Sequence, residues 1–580
     1  MRRDIEAIAG RAYDLVIVGG GIFGACAAWD AAQRGLSVAL FERDDFCGAT
    51  SANSYKIVHG GIRYLQHADL ARIRQSSNER RAFLRIAPHL VAPRPIVIPT
   101  YGRALRGRLF LRLGSLLYDL LVFDRNRGIR DPSRRVPLCS SIDRDAVLGL
   151  FPDLDSEDLT GAVVFSDGQL LNPPRLVWAV IESAASLGAA VANHAEVREL
   201  LVDRKRIGGV RVLDRLSGDE HEIRARFVLN AAGPYAETLL ERSLGIRLRR
   251  PGTYSRDACF VVATKVGDGE HGLALLGGTR DPDAVVSRGA RHLFLTPWRG
   301  RTLVGVWHRV YDGDPERITV GNEELGSFLR ELDDSCSLGI SLHDVEIWNA
   351  GLVPFGENEA GAANLRYGHR SQLVDHQIEH GLDGLFTLIG VRFTTGRSEA
   401  ANAIERIGRR LGRTLPPSRT ASTPVVGGDI PSLAELLRRA QEERPRGLAA
   451  SSAAQLVMCY GTDYRRVTAH GRERPELLET LGTSDVIGAQ VVHAIQHELA
   501  HTLADVVCRR TDLATGWYPG RPALARAAEL AGELLGWSER RQQEEVAIVE
   551  RRFRDLPRYS EEIRDHETLD DHEPSDVGPG

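Results

Sequence analysis

Lysine is nearly absent from this chain. Of 580 residues, only Lys56, Lys205 and Lys265 are lysines, and the other basic residues are arginines. Arginine abundance here reflects a compositional bias and is not by itself a sign of phosphate binding. An excess of one charge is also lacking. A net charge of -4 supplies no electrostatic case for nucleic acid. The seven cysteines are scattered, and no C-x-x-C occurs. That excludes a zinc ribbon and a dithiol redox motif, and it fits a reducing cytoplasm. No apolar run reaches about 18 residues, so no transmembrane helix is expected. Asp4 and Glu6 interrupt the N-terminal stretch, which argues against a signal peptide. What remains is the composition of a soluble globular protein, too long for one ordinary domain.

The chain is organised around residues 13–42. Leu15, Val16, Ile17 and Val18 form an apolar, β-branched run that predicts a buried strand. Gly19, Gly21 and Gly24 follow in the pattern G-x-G-x-x-G, then a small-residue helix, a second apolar run and Glu42. Gly19 permits a tight turn, Gly21 lets a pyrophosphate approach the backbone, and Gly24 lets helix and strand pack closely. The helix N-terminus offers N–H groups and partial positive charge to phosphate. Glu42 stands where a carboxylate accepts hydrogen bonds from ribose hydroxyls. The motif alone does not separate NAD from FAD.

Residues 69–87 predict a charged amphipathic helix, with 76–85 as a solvated face. In residues 101–123, Arg103, Arg106, Arg108 and Arg112 are interleaved with leucines. Two readings stand: a helix packed on its own domain, or one lying on an anionic membrane surface. The α/β rhythm returns over 160–230 and ends in the glycine turn at Ala232 and Gly233. Strand-rich aromatic and β-branched segments over 250–310 suit an antiparallel sheet. A strand and helix follow over 384–412. The fold class expected is α/β: a Rossmann-like dinucleotide-binding domain (1–415) with an inserted antiparallel substrate sheet at about 246–365. A Pro/Ser/Gly-rich linker (416–431), an all-helical domain (432–556) and an acidic disordered tail (557–580) complete it.

The GGGIFG turn, the loop TSANSYKIVHGGIRYLQH, then FSDGQ, NAAGPY and HELAHTLADVVCRRTDL together resemble the FAD-dependent, quinone-reducing glycerol-3-phosphate dehydrogenases. The resemblance spans roughly residues 13–520. It implies FAD lying along Gly19, Gly21, Gly24, Glu42, Thr50, Ser51, Ser54, Lys56, His59, Gly60, Gly61, Ala232, Gly233, Gly390, Thr394 and Thr395. It implies a substrate site at Arg63, Tyr64, Arg370 and Arg392, with a guanidinium fork suited to phosphate. His59 and His308 are the candidate bases. The implied partners are glycerol 3-phosphate or a related hydroxy compound, a quinone acceptor, a membrane surface and a second copy in a homodimer.

Several positions depart from the family pattern. Val353 stands where the family has an arginine, Arg392 where it has a lysine, Cys259 where it has a histidine, and Val306, Trp307 and His308 where it has T-T-D. Two alternatives therefore stay open. One is a dehydrogenase or oxidase acting on another hydroxy acid, polyol phosphate or amine. The other is a protein that retains FAD without turnover. His497 to His501 spells H-E-x-x-H on a predicted helix. His493 adds another histidine at helical spacing, but the position inside a family motif and the lack of an obvious third ligand argue against a zinc protease, and no metal is expected.

Overall fold

The computed structural model describes the chain except residues 2, 66, 103–107, 249–253, 281–289, 335, 337, 355–370 and 571–580. The first sheet is the one the glycine turn predicts. Leu385–Ile389, Glu220–Asn230, Ala12–Val18, Val38–Phe41 and Ala190–Ala192 lie side by side and parallel. Gln372–Asp375 adds an antiparallel edge, and the hairpin of Ala195–Asp203 and Arg206–Asp214 joins Glu220–Asn230. The apolar runs are buried on both faces, as crossover helices require. Helix Ile22–Gln33 packs between Pro173–Ser186 and Gly396–Arg410. Its Ala25, Ala27, Ala28 and Ala31 are fully buried, so small side chains let three helices approach closely.

The second sheet is larger than an insertion at 246–365. Five of its strands fall there: Tyr254–Val262, Gly272–Arg280, Ala290–Trp298, Arg301–Tyr311 and Val345–Pro354. The remainder come from upstream: Ile57–Val58, Val91–Tyr101, Ser140–Ile142 and Leu159–Leu170. Val91–Tyr101 carries Pro93, Pro95 and Pro99, which disguise a strand by removing ladder donors. It pairs antiparallel with Leu159–Leu170 and briefly parallel with Gly272 and Leu273, so the sheet is mixed.

The helix expected over 69–87 forms as Leu70–Ile86, capped by the Asp69 side chain. The expectation of a solvated face over 76–85 is overturned. Ser76, Ser77, Glu79 and Arg80 are buried. Arg80 donates to Asp167 at 3.1 Å, and Glu79 takes a two-pronged ion pair from Arg397. Charge at helical spacing marks a solvated face only when no distant partner arrives.

No strand is assigned within residues 432–556, and the helices of this segment are fastened to the first part of the chain by buried ion pairs. Arg510 grips Asp45 at 2.6 and 2.7 Å, Arg175 grips Glu498 at 2.8 and 2.9 Å, and His194 meets Asp505 at 2.8 Å. The HELAHTLADVVCRRTDL stretch is thus the joint between the two parts. Residues 416–431 are packed along it: Thr420 is fully buried, and Val425 donates to the Ile86 carbonyl. The tail is partly ordered as helix Ser560–Asp570, because Ile563 is 1% exposed and anchors it to the core.

Candidate functional site

Between the two sheets lies a cavity of about 1000 Å³. Its floor is the glycine turn. Gly19 has φ +101, and a Cβ there would fall 2.7 Å from the Ala231 carbonyl oxygen. A Cβ on Gly24 would fall 1.8 Å from the Gly19 oxygen. The turn and helix Ile22–Gln33 are therefore in backbone contact, and the helix opens on Gly21 with no side-chain cap. Ser51 Oγ accepts from Ile22 N at 3.0 Å, while Glu42 accepts from Gly20 N at 2.7 Å. Burial raises the Glu42 carboxyl above its ordinary value, opposed by the N–H groups of Gly20 and Asp44. The Ser54 hydroxyl is buried, faces this cavity and has no hydrogen-bond partner among the described residues. An elongated dinucleotide meets these features: a helix N-terminus on Gly21 for pyrophosphate, with Ser51 at its first N–H, an acid for ribose and an orphan hydroxyl.

The loop after the turn supplies the opposite wall. Tyr55, Ile57, His59, Gly61, Arg63 and Tyr64 line the cavity. Lys56 does not. Lys56 lies just before the short strand Ile57–Val58, in a left-handed backbone conformation at φ +56, and its side chain is turned away, 2% exposed, with its ammonium 5.2 Å from the Trp298 ring. Burial lowers its pKa. The expected cofactor role of Lys56 is corrected on this ground. Gly60 also lies behind the wall. Its N–H donates to Asp167 at 2.5 Å, its carbonyl accepts from Tyr118, and a Cβ would meet Arg80 at 2.3 Å. Thr395 is buried behind Thr394, which itself lines the cavity and accepts from His59 N at 3.3 Å. Gly19, Gly21, Glu42, Thr50, Ser51, Ala232, Gly233 and Gly390 all reach the cavity. Arg370 lies outside the described residues.

One end of the cavity is cationic. Arg63, Arg72 and Arg392 gather round Tyr64, with Arg392 5.1 Å and Arg72 5.5 Å from its ring centre. The His59 ring stands edge-on to Tyr64 at 5.8 Å. Burial, then Arg392, Arg63 and Arg80, hold His59 down at about 3, so it is neutral at pH 7. His308 lies across the cavity. It sits opposite Asp257 on the neighbouring antiparallel strand, and its Nδ1 lies 2.7 Å from an Asp257 carboxylate oxygen. Sequence reasoning missed Asp257; its signal is the cross-strand register, which a single sequence does not display. Trp307 turns the other way, stacking on Phe328 at 4.7 Å and donating to Glu324. Val353, Leu352, Phe294 and Val306 make an apolar side, beside Cys259.

The H-E-x-x-H string does not assemble. Helix Gly488–His497 ends at its first histidine, and Leu499 has φ +57, which turns His501 towards His194.

His59, His89, His376 and His501 are all held neutral by burial, at about 3, 3, 4 and 4 against an ordinary 6.5. The unfolded chain takes up these protons near pH 6.5, whereas the folded chain does not. The stability these four histidines contribute is therefore complete above that pH and is lost as pH falls towards 4. Unfolding temperature followed from pH 7.5 to 4.5 is expected to fall steadily below pH 6.5; a flat profile contradicts the assignment.

Residues 14–390 match the FAD dependent oxidoreductase family, and residues 418–542 match the C-terminal domain of alpha-glycerophosphate oxidase. Glycerol-3-phosphate dehydrogenase of Synechocystis sp. is 31% identical, covering 93% of this chain and 95% of that protein. The mitochondrial glycerol-3-phosphate dehydrogenase of Homo sapiens is 30% identical, covering 92% of this chain and 72% of its own. A solved glycerol-3-phosphate dehydrogenase of Bacillus halodurans, complexed with FAD, superposes with a TM-score of 0.72 at 22% identity, covering 95% and 96% of the two chains. That likeness carries the fold. With the family match covering most of the chain, the protein belongs to the FAD-dependent glycerol-3-phosphate dehydrogenase family of oxidoreductases, and FAD is its cofactor.

Proposed function

We propose that the protein oxidises sn-glycerol 3-phosphate to dihydroxyacetone phosphate. The observation that carries this reading is the joint presence, in one cavity, of an arginine cluster and two histidines. Arg63 and Arg392 supply planar forks for the phosphate. His308, oriented by Asp257, takes the proton of the C2 hydroxyl. His59 is the positioning group at the anion end, where its neutral ring hydrogen-bonds substrate beside the arginines. A bound phosphate offsets the cationic field on His59 and raises its basicity. The apolar side at Val353 and Leu352 excludes water from the carbon being oxidised. FAD supplies the acceptor for the hydride that leaves C2.

Val353 also supports the second reading, a bulkier or less charged hydroxy compound, because it adds no cation to the pocket. An anaerobic substrate panel read at the flavin absorbance separates the readings. Bleaching by glycerol 3-phosphate, far faster than by glycerol, and none by hydroxy acids or amines, is expected. Bleaching by another compound alone assigns the second substrate; bleaching by none marks a binding protein.

A quinone in the membrane is the proposed electron acceptor. Helix Arg108–Leu121 supports it. Its inner face, at Ser115 and Tyr118, is buried, with Val122 just beyond its end. Its outer face presents Leu113, Leu116, Leu117 and Leu120, extended by Phe123, at 49–77% exposure. Arg112 is exposed beside them; Arg103 and Arg106 lie outside the described residues. Among the described residues no helix is long and apolar enough to cross a membrane, so the contact is peripheral. Leu120→Asp is expected to weaken cosedimentation with anionic liposomes roughly tenfold, from the apolar burial it forfeits. Reduction of a water-soluble dye stays unchanged. Undiminished liposome binding rejects this face.

A further inference from the structure

Three histidines meet far from the flavin cavity. His493 and His497 stand one turn apart on the last turns of helix Gly488–His497. His470 reaches them from the short helical turn Ala469–Arg472. One ring nitrogen from each lies within 4.8 Å of the others. The ring centres are 4.8 Å apart for His493 and His497, 5.6 Å for His470 and His493, and 5.7 Å for His470 and His497. His470 Nε2 and His493 Nδ1 share a hydrogen bond at 3.3 Å, whose proton a bound ion would displace. Two nitrogens each about 2.0–2.1 Å from a tetrahedral ion stand roughly 3.3–3.4 Å apart, so this pair already has a chelating separation.

We propose that His470, His493 and His497 form a binding site for a divalent, imidazole-preferring transition-metal ion, with Zn²⁺ as its reference ligand and water completing the fourth position.

The surroundings suit that assignment. His493 is 4% exposed and braced by the Tyr460 ring edge at 5.6 Å, which fixes one ligand. His470 and His497 are only half-buried, which leaves an entry path and room for water. The nearby arginines are already balanced: Arg175 by Glu498, and Arg466 by Asp463 and Glu182. Among the described residues the Met1 ammonium is another cation close by, donating to the His497 carbonyl.

The position suggests what the ion does. His497 ends its helix, and the next residue, Glu498, holds Arg175 across the joint between the two parts of the chain. An ion tying His497 to His470 stiffens that joint. None of the three residues lines the flavin cavity, so the ion has no part in the redox step. This site does not depend on the substrate assigned above.

The test uses untagged, FAD-loaded, chelator-treated protein. Titration with Co²⁺ is expected to develop a tetrahedral ligand-field absorption that saturates at one equivalent and is displaced by Zn²⁺, and Zn²⁺ is expected to raise the unfolding temperature. His470→Gln and His497→Gln are each expected to lose the absorption and the temperature rise while keeping the wild-type flavin spectrum. His501→Gln, in the same H-E-x-x-H string, is expected to keep both. No saturable absorption in the wild type, or an undiminished one in His470→Gln, overturns the proposal. So does its loss in His501→Gln alone.

Discussion

A Gly24→Val protein is expected to purify colourless. The argument rests on contact distances. A Cβ at this position falls 1.8 Å from the Gly19 carbonyl oxygen and 3.1 Å from the Gly19 carbonyl carbon. Both are backbone atoms of a turn that cannot yield freely. Gly19 itself sits at φ +101, against Ala231 and Ala232. The neighbouring Gly20 is equally hemmed in, since a Cβ there would meet Phe46 at 2.4 Å. A branched side chain at residue 24 therefore forces helix Ile22–Gln33 outward. That displaces the N-terminal N–H groups from the place where pyrophosphate lies, and it disturbs three tightly packed helices as well. The ratio of flavin to protein absorbance measures the effect directly. Wild-type occupancy in Gly24→Val defeats the assignment of this turn. Gly35→Ala is the control: Gly35 has positive φ, at +81, but nothing lies within 4 Å of its Cβ. It is expected to keep its flavin and lose only a little stability to backbone strain.

The turn was readable because its causes are local. Strand, three glycines, helix and acid fall within thirty residues, and each choice has a steric or electrostatic reason. The parts that were not readable share one property: their partners are distant. Arg80 meets Asp167 across 87 residues, and Glu79 meets Arg397 across 318. From sequence, that helix face is indistinguishable from one bathed in water. Lys56 illustrates a second limit. A family motif marks a contiguous stretch, whereas the backbone within it changes direction, as it does at the left-handed Lys56. Tyr55, Ile57 and His59 therefore line the cavity and Lys56 does not. The upstream strands of the second sheet illustrate a third. Val91–Tyr101 is held by its neighbours in spite of three prolines, so tertiary pairing overrides local propensity. His308 was identifiable as a candidate from its residue type. Its partner Asp257 came only from the register that places the two opposite each other.

The anion end of the cavity carries the other large effect. Arg63→Ala is expected to lower kcat/KM for glycerol 3-phosphate roughly 100- to 10,000-fold. A hydrogen bond to a charged group contributes about 1.5–3 kcal/mol, and a fork makes two. Each 1.36 kcal/mol is about a factor of ten in rate. Arg392→Ala is expected to act similarly, whereas Arg392→Lys retains more activity because it keeps a positive charge without the fork. The decisive readout is selectivity. Glycerol lacks the phosphate, so its slow turnover is expected to be unchanged in Arg63→Ala, and the ratio of the two substrates collapses. Equal losses on both substrates would show instead that Arg63 supports the fold or the flavin. A second readout comes from His59. Arg63 is one of the cations that depress its basicity, after burial and Arg392. Removing that charge is expected to move the His59 titration upward, visible by NMR of labelled histidine. An upward shift together with lost phosphate selectivity places Arg63 between the imidazole and the substrate's anionic group. Lost selectivity with an unmoved histidine separates the two roles and assigns Arg63 to the phosphate alone.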